Sequence, residues 1–286
     1  MGEQSADLNI IVVANGCSDN TVEIARSFGL GVRVLCLPAA SKRLALTAGD
    51  RAATEFPRIY VDADVEIGAA DINALAAELR KPGVHAAAPE QVLALDGCPR
   101  LVRWYYDIWS RLPEVRAGLF GRGVVAVSEE GHRRIAGLPP LLADDLAASL
   151  SFAPAERRIV PGASVTWHPP RSLAGFMRQR IRAVTGVAQV ERTKSAPSST
   201  ARTSMADLLG ILRDRPSAAP KVLLFLIVAI LARLGARRAI AAGDYTTWLR
   251  DDSSRLPVAG AAGAAGLRQA TSQETTGQAP ASGRRS

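Results

Sequence analysis

The chain has 286 residues, 48% of them hydrophobic, which suffices for one large domain with appendages and excludes a disordered chain. Its net charge of +8 is unevenly placed: residues 1–170 carry 17 Lys and Arg against 20 Asp and Glu, whereas residues 171–286 carry 18 against 7. The basic part lacks the interleaved aromatics of a single-strand binder and any zinc-finger or basic-zipper pattern. We therefore expect no nucleic-acid partner, and read the charge as suited to an anionic membrane surface or a phosphorylated substrate.

Cys17, Cys36 and Cys98 are odd in number and have no metal spacing, which points to structural thiols in a reducing compartment. The opening MGEQSADLN is polar and shows no charged n-region followed by an apolar run, so the expected location is the cytoplasm.

In chain order, residues 8–14 (LNIIVVA) form a short β-branched run that breaks into a polar turn at Asn15–Asn20, and a helical pattern starts at Thr21. Residues 32–36 (VRVLC) predict a second strand, and Lys42 to Thr54 an Ala-rich helix opened by Ser41. A third strand, 58–63, ends in Asp62-Ala63-Asp64, and Asp71 caps a helix running to Arg80. Strands alternating with helices predict an α/β fold, a mostly parallel sheet with helices on both faces. A strand that ends in two acids delivers carboxylates to the sheet edge where open α/β sheets bind ligands.

Further along, residues 84–93 predict a strand, and Trp104, Tyr105, Tyr106 and Trp109 fall at helical spacing, as core or groove wall. Residues 118–127 read as a Gly-punctuated strand. Asp144 and Asp145 open a helix, where acids ordinarily complement the helix dipole. The Ser/Thr/Pro-rich stretch from Thr193 to Thr203 predicts a flexible connection. Residues 222–232 (VLLFLIVAILA) are continuously apolar, yet eleven residues fall short of the roughly 20 that span a bilayer. With Lys221 before and Arg233, Arg237 and Arg238 after, they suit a buried or interfacial helix, giving a peripheral membrane contact through 222–238. Three regions follow: a catalytic-type domain at 1–190, a linker and helical, membrane-associated region at 191–256, and a disordered tail at 257–286.

The ordered motifs carry a resemblance. The segment Val12-Val13-Ala14-Asn15-Gly16-Cys17-Ser18-Asp19-Asn20-Thr21, then Ser41-Lys42-Arg43-Leu44-Ala45-Leu46-Thr47-Ala48-Gly49, then Asp62-Ala63-Asp64 resemble the VVDDGSxDGT, GKxxALNxG and DxD motifs of the family 2 glycosyltransferases with the GT-A fold. Downstream, Gly121-Arg122-Gly123-Val124-Val125-Ala126 resembles the family's glycine-rich strand beside the acceptor. Asp144-Asp145 stands where the family has Glu-Asp. Phe176 to Arg182 resembles QxxRW, with Ala183 in place of Trp.

The resemblance covers roughly residues 8–185. It implies a metal-dependent, inverting transferase that moves a sugar from a nucleotide-sugar donor to a glycan or lipid-linked acceptor. Asp64, with Asp62, would hold Mn²⁺ or Mg²⁺ against the diphosphate, because hard divalent cations take carboxylate oxygens. Asn15 and Asp19 would hold base and ribose, Lys42 the phosphates, and Gln179 and Arg182, with Arg178, the leaving diphosphate or the acceptor. Asp145 would be the general base. His168 could reach the metal or phosphates, against the commoner structural role of a lone histidine.

The chain departs from the family in lacking the strand and helix with an IPAYNE-like motif before the Val12-Val13 strand. That predicts exposed strand edges and half of the base pocket missing. Either the start lies about 30 to 50 residues upstream, which we favour, or the chain is a remnant that binds without turnover. A nucleotidyltransferase is the remaining rival. It needs a Gly-rich phosphate loop near the first strand, and none stands there.

Overall fold

The computed structural model describes residues 8–29, 31–139, 143–192 and 203–241. The expected disordered tail at 257–286 and all but Thr203 of the expected flexible connection lie outside the described residues. A strand β1 (Ile10–Asn15), helix α1 (Thr21–Ser27), strand β2 (Val32–Leu37) and helix α2 (Lys42–Ala52) follow the expected alternation. Ser41 caps α2, its hydroxyl accepting from Leu44 N–H at 3.3 Å. β1 and β2 pair in parallel as a sheet of their own.

The second sheet is built from β3 (Arg58–Val61), β4 (Val65–Ile67), β5 (Ala86–Leu93), β6 (Val124–Val127) and β7 (Arg157–Trp167), in the order β3-β6-β5-β7-β4. The expectation of a mostly parallel sheet is corrected in its pairing. Only β5 and β7 run parallel here, while β3 with β6, β5 with β6 and β4 with β7 are antiparallel. The α/β class stands, with mixed sheets flanked by helices.

Only three residues separate β3 from β4, although the two are opposite edges of this sheet. Four Cα steps span at most about 14 Å, so the sheet curls until its edges approach at that end. Gly123, at the foot of β6, accordingly lies where an added Cβ would meet Val65. The turn Asp62-Ala63-Asp64 bridges the two edges.

Helix α3 (Ala69–Glu78) covers one face through Leu75 with Val124, Ala126, Ala163 and Val165. Leu119, Ala88, Val125, Val127 and Phe152 fill the other face. The short Ala86-Ala87-Ala88 run is buried throughout because both faces of β5 are covered. Helix α6 (Glu129–Ala136) begins on Ser128, whose hydroxyl accepts from Gly131 N–H. A polar clamp ties α2 to this body: Tyr60 donates to Asp50 at 2.7 Å and meets His132 Nδ1 at 2.9 Å, while Arg58 donates to Asp50 at 3.1 Å.

A third cluster gathers α4 (Arg100–Trp109), the short α5 (Pro113–Ala117), α8 (Leu173–Arg192), α9 (Met205–Asp214) and α10 (Ala219–Ala241). As expected, Tyr105 and Tyr106 are core residues, and Phe225 of α10 stacks on Tyr105 at 4.9 Å. One side of α10 buries Val222, Phe225, Val228, Ala232 and Ala236. The other exposes Leu223, Ile227, Ile230, Leu231 and Leu234, an i, i+4, i+7, i+8, i+11 stripe. By length and composition alone, Pro216–Arg238 is one helix able to cross a membrane.

Candidate functional site

Helix α7 (Asp144–Leu150) brings its first-turn acids to the turn after β3. Lys42, the first residue of α2, sits between them: its Nζ lies 3.0 Å from Asp62 Oδ1 and 3.1 Å from Asp144 Oδ2. Two acids far apart in sequence, Asp62 and Asp144, thus share one ammonium. Burial works against the Lys42 charge, but Asp62, Asp144 and Asp145 outweigh it and hold the ammonium above its ordinary pKa. Burial also raises Asp62; Lys42 opposes that rise, and the charges of Asp64 and Asp144 add to it.

Asp145 is held at both oxygens. Oδ2 accepts from Gly121 N–H at 2.8 Å and Oδ1 from Leu146 N–H at 2.8 Å. Burial, then Asp144, raise its pKa, while the Gly121 N–H and Lys42 restrain the rise. A carboxylate of raised pKa is the stronger base, which suits proton abstraction from a hydroxyl.

The glycine-rich turn that faces Asp145 is fixed by three contacts. Gln91 Nε2 donates to Gly121 O at 2.6 Å, and Asp62 N–H donates to Gly123 O at 2.7 Å. Arg122 is buried, and its guanidinium donates to the carbonyls of Gly118, Pro89, Val115 and Arg116. Burial lowers its pKa to about 10. Gly121 and Gly123 have φ of +71° and +68°, a left-handed backbone that favours glycine.

The site therefore unites Lys42, Asp62, Asp64 and Asp145. Asn15 ends β1 beside them, its Nδ2 donating to Ser41 O at 3.4 Å. Asp19 stands exposed in the β1–α1 turn, where it accepts from the Thr21 N–H and hydroxyl. Gln179 is brought instead to the aromatic cluster, where it accepts from Tyr106 Oη at 2.9 Å. Arg182 is half-buried and Arg178 exposed on α8. His168 follows β7 at the position opposite Asp64, as the Val65–Trp167 pairing requires, and its Nε2 lies 2.9 Å from Glu66 Oε1.

Sequence reasoning passed over three residues of weight. Asp144 had the dipole role of any first-turn acid, and only the fold reveals it as the second anchor of Lys42. Arg122 lay inside a quoted motif, but nothing in its neighbours foretold four carbonyl partners. Arg180 packs against the rings of Tyr105 and Tyr106, and its buried Nε has no hydrogen-bond partner.

The donor set is hard oxygen, which fits Mg²⁺ or Mn²⁺. Lys42 already engages Asp62, whereas Asp64 is exposed. No group of three or more His, Cys, Asp or Glu that could hold a metal occurs among the described residues.

No protein-family model matches the chain, and no curated protein matches it by sequence. Among solved structures it resembles a mannosyltransferase from Pyrobaculum calidifontis in complex with GDP-mannose and Mn²⁺, over 94% of this chain and 72% of that one, at 19% identity and a TM-score of 0.52. Glucosyl-3-phosphoglycerate synthase from Mycobacterium tuberculosis, in complex with phosphoglyceric acid, matches over 66% of this chain and 70% of that one, at 18% identity and a TM-score of 0.44. The order of mixed sheets and flanking helices, with the first of these likenesses, gives the chain the GT-A-like glycosyltransferase fold.

Proposed function

We propose that the chain is a family 2 glycosyltransferase that moves a sugar, with inversion, from a nucleotide-sugar donor to a glycan or lipid-linked acceptor. The observation that carries this reading is the convergence of Lys42, Asp62 and Asp144 within 3.1 Å contacts, with Asp64 and Asp145 alongside, from three separated stretches of chain. A Mn²⁺ or Mg²⁺ ion held by Asp64, with Asp62 through water, would neutralise charge on the departing diphosphate. Lys42 holds Asp62 and Asp144 in place and offers its remaining donor capacity to the phosphates. Asp145, fixed by Gly121, takes the proton from the acceptor hydroxyl on the face opposite the leaving group. Asn15 and Asp19 bind base and ribose, and Gln179 and Arg182 the leaving diphosphate or the acceptor; these roles rest on the motif resemblance.

The apolar stripe of α10, ending in exposed Arg237 and Arg238, supports a peripheral contact with an anionic membrane. We place the enzyme in the cytoplasm, at the inner face of the plasma membrane. Among the described residues the outer edges of β1 and β3 are unpaired, which favours one second reading, a fold that binds nucleotide without turnover.

The test incubates the protein with Mn²⁺ or Mg²⁺ and a panel of nucleotide sugars and follows nucleoside diphosphate release. Release that disappears in Asp64→Asn and Asp145→Asn supports the transferase. Metal-dependent binding without release selects the second reading. Pyrophosphate release from a nucleoside triphosphate and a sugar phosphate would replace both with a nucleotidyltransferase.

A further inference from the structure

A cavity of about 470 Å³ opens between α4 and the start of α10, and the chemistry described so far does not use it. Its floor is Leu93, Leu95 and the buried ring of Tyr106, and its wall is the α4 stripe of Arg100, Arg103, Trp104 and Asp107. Lys221 of α10 forms the opposite lip.

Its charges are unbalanced. Asp107 is occupied by Lys221 and by Arg111, the latter at 2.7 Å. Burial opposes ionisation of Asp107, but those two hydrogen bonds hold its carboxyl below the usual carboxylate range. Arg100 lies over the Trp104 ring at 4.8 Å, and neither it nor Arg103 has a carboxylate partner within ion-pair distance among the described residues. Two exposed guanidinium groups thus face a cavity whose single acid is already satisfied, above an apolar floor and one indole. That combination suits a phosphoryl group on an apolar or ring-shaped body, because guanidinium forks match phosphate oxygens.

Trp109, at the end of α4, lies against Gly121, but two residues past Asp107 it stands on the other side of the helix from Arg100, Arg103 and Asp107, so the cavity stands apart from the acid cluster.

We propose that this cavity is a phosphate subsite, in which Arg100 and Arg103 bind the phosphoryl group of a ligand whose body lies on Leu93, Leu95 and Trp104. The phosphate site does not rest on the glycosyltransferase reading. Binding is therefore measured without donor or metal, by calorimetry on the full chain. The probes are glycerol 3-phosphate and farnesyl phosphate, with glycerol and farnesol as uncharged counterparts.

We expect a phosphorylated probe to bind about tenfold or more tighter than its uncharged counterpart. That preference should fall in Arg103→Gln and vanish in Arg100→Gln/Arg103→Gln, whose side chains are exposed, and persist in Asp64→Asn. Preference for farnesyl phosphate identifies a lipid-borne phosphate, and preference for glycerol 3-phosphate a soluble one; either supports the site. Equal binding of charged and uncharged probes overturns the proposal. So does a phosphate preference lost in Asp64→Asn but kept in the double arginine variant, which would put the phosphate in the donor site. Sugar transfer with no such preference refutes the phosphate subsite alone, and phosphate binding without transfer refutes only the transferase reading.

Discussion

Replacing Lys42 by Met keeps the length and apolar stem of the side chain but removes the cation shared by Asp62 and Asp144. At 3.0 and 3.1 Å each pair has a Coulomb attraction of about 5 kcal/mol at an effective dielectric constant of about 20. The three side chains are 32%, 44% and 37% exposed, so solvent screening reduces each pair to about 0.5–1 kcal/mol. The variant also leaves Asp62, Asp144 and Asp145 repelling one another. The combined loss is about 1–2 kcal/mol, or about 2–8 °C in melting temperature for a domain of this size. Thermal melts at pH 7 should show that drop at low salt and a smaller one at about 0.5 M salt, where surface charges are screened. Added Mn²⁺ should recover part of it, because a divalent cation takes the place of the ammonium among the acids. A Lys42→Met protein that melts with the wild type at low salt would refute the shared-cation account.

Asp145→Asn should lose about 10²-fold or more in transfer rate, measured as nucleoside diphosphate release with acceptor present. The folded pKa of Asp145 is raised, so the wild type should lose stability as pH rises from about 3.8, the unfolded value, to the folded one; melting followed against pH should show that slope in the wild type and lack it in Asp145→Asn. Gly123→Ala should cost about 1–2 kcal/mol from its φ of +68°, more if Val65 cannot yield, and should weaken Mn²⁺ binding by displacing the Asp62–Asp64 turn, read by metal titration. Arg122→Lys should lower stability by about 3 kcal/mol in denaturant unfolding, because an ammonium cannot serve four carbonyls spread around a guanidinium.

The elements from β1 to β3 were legible because strand and helix periods switch cleanly between Ile10 and Val61, with Ser41 marking a helix start. α6 escaped notice although Ser128 and the acids at 129 and 130 are ordinary start signals, since Gly131 lies inside it; that glycine is required because a Cβ there would strike His85 O. The strand directions were not legible. Alternation suggested parallel pairing, but short β3 and β4 joined by a three-residue turn reverse against β6 and β7. Residues 222–232 gave the apolar core of a helix that runs from Ala219 to Ala241, longer because Ala and Gly flanks continue it. In the site, motif order brought out Lys42, Asp62, Asp64 and Asp145, whereas the Lys42–Asp144 bridge depends on how α2 and α7 meet. Gln179 was read as a ligand residue, and its carbonyl is engaged by Tyr106, a pairing that no sequence spacing encodes.

The central claim is that these acids hold a metal-bound nucleotide diphosphate. Calorimetric titration of the full chain with GDP and UDP, with and without Mn²⁺, tests it most directly. The account predicts binding of at least one nucleotide that requires Mn²⁺, is abolished by Asp64→Asn and survives Asp145→Asn. Nucleotide binding that is indifferent to Mn²⁺ and to Asp64→Asn, or no binding of either nucleotide, would contradict it.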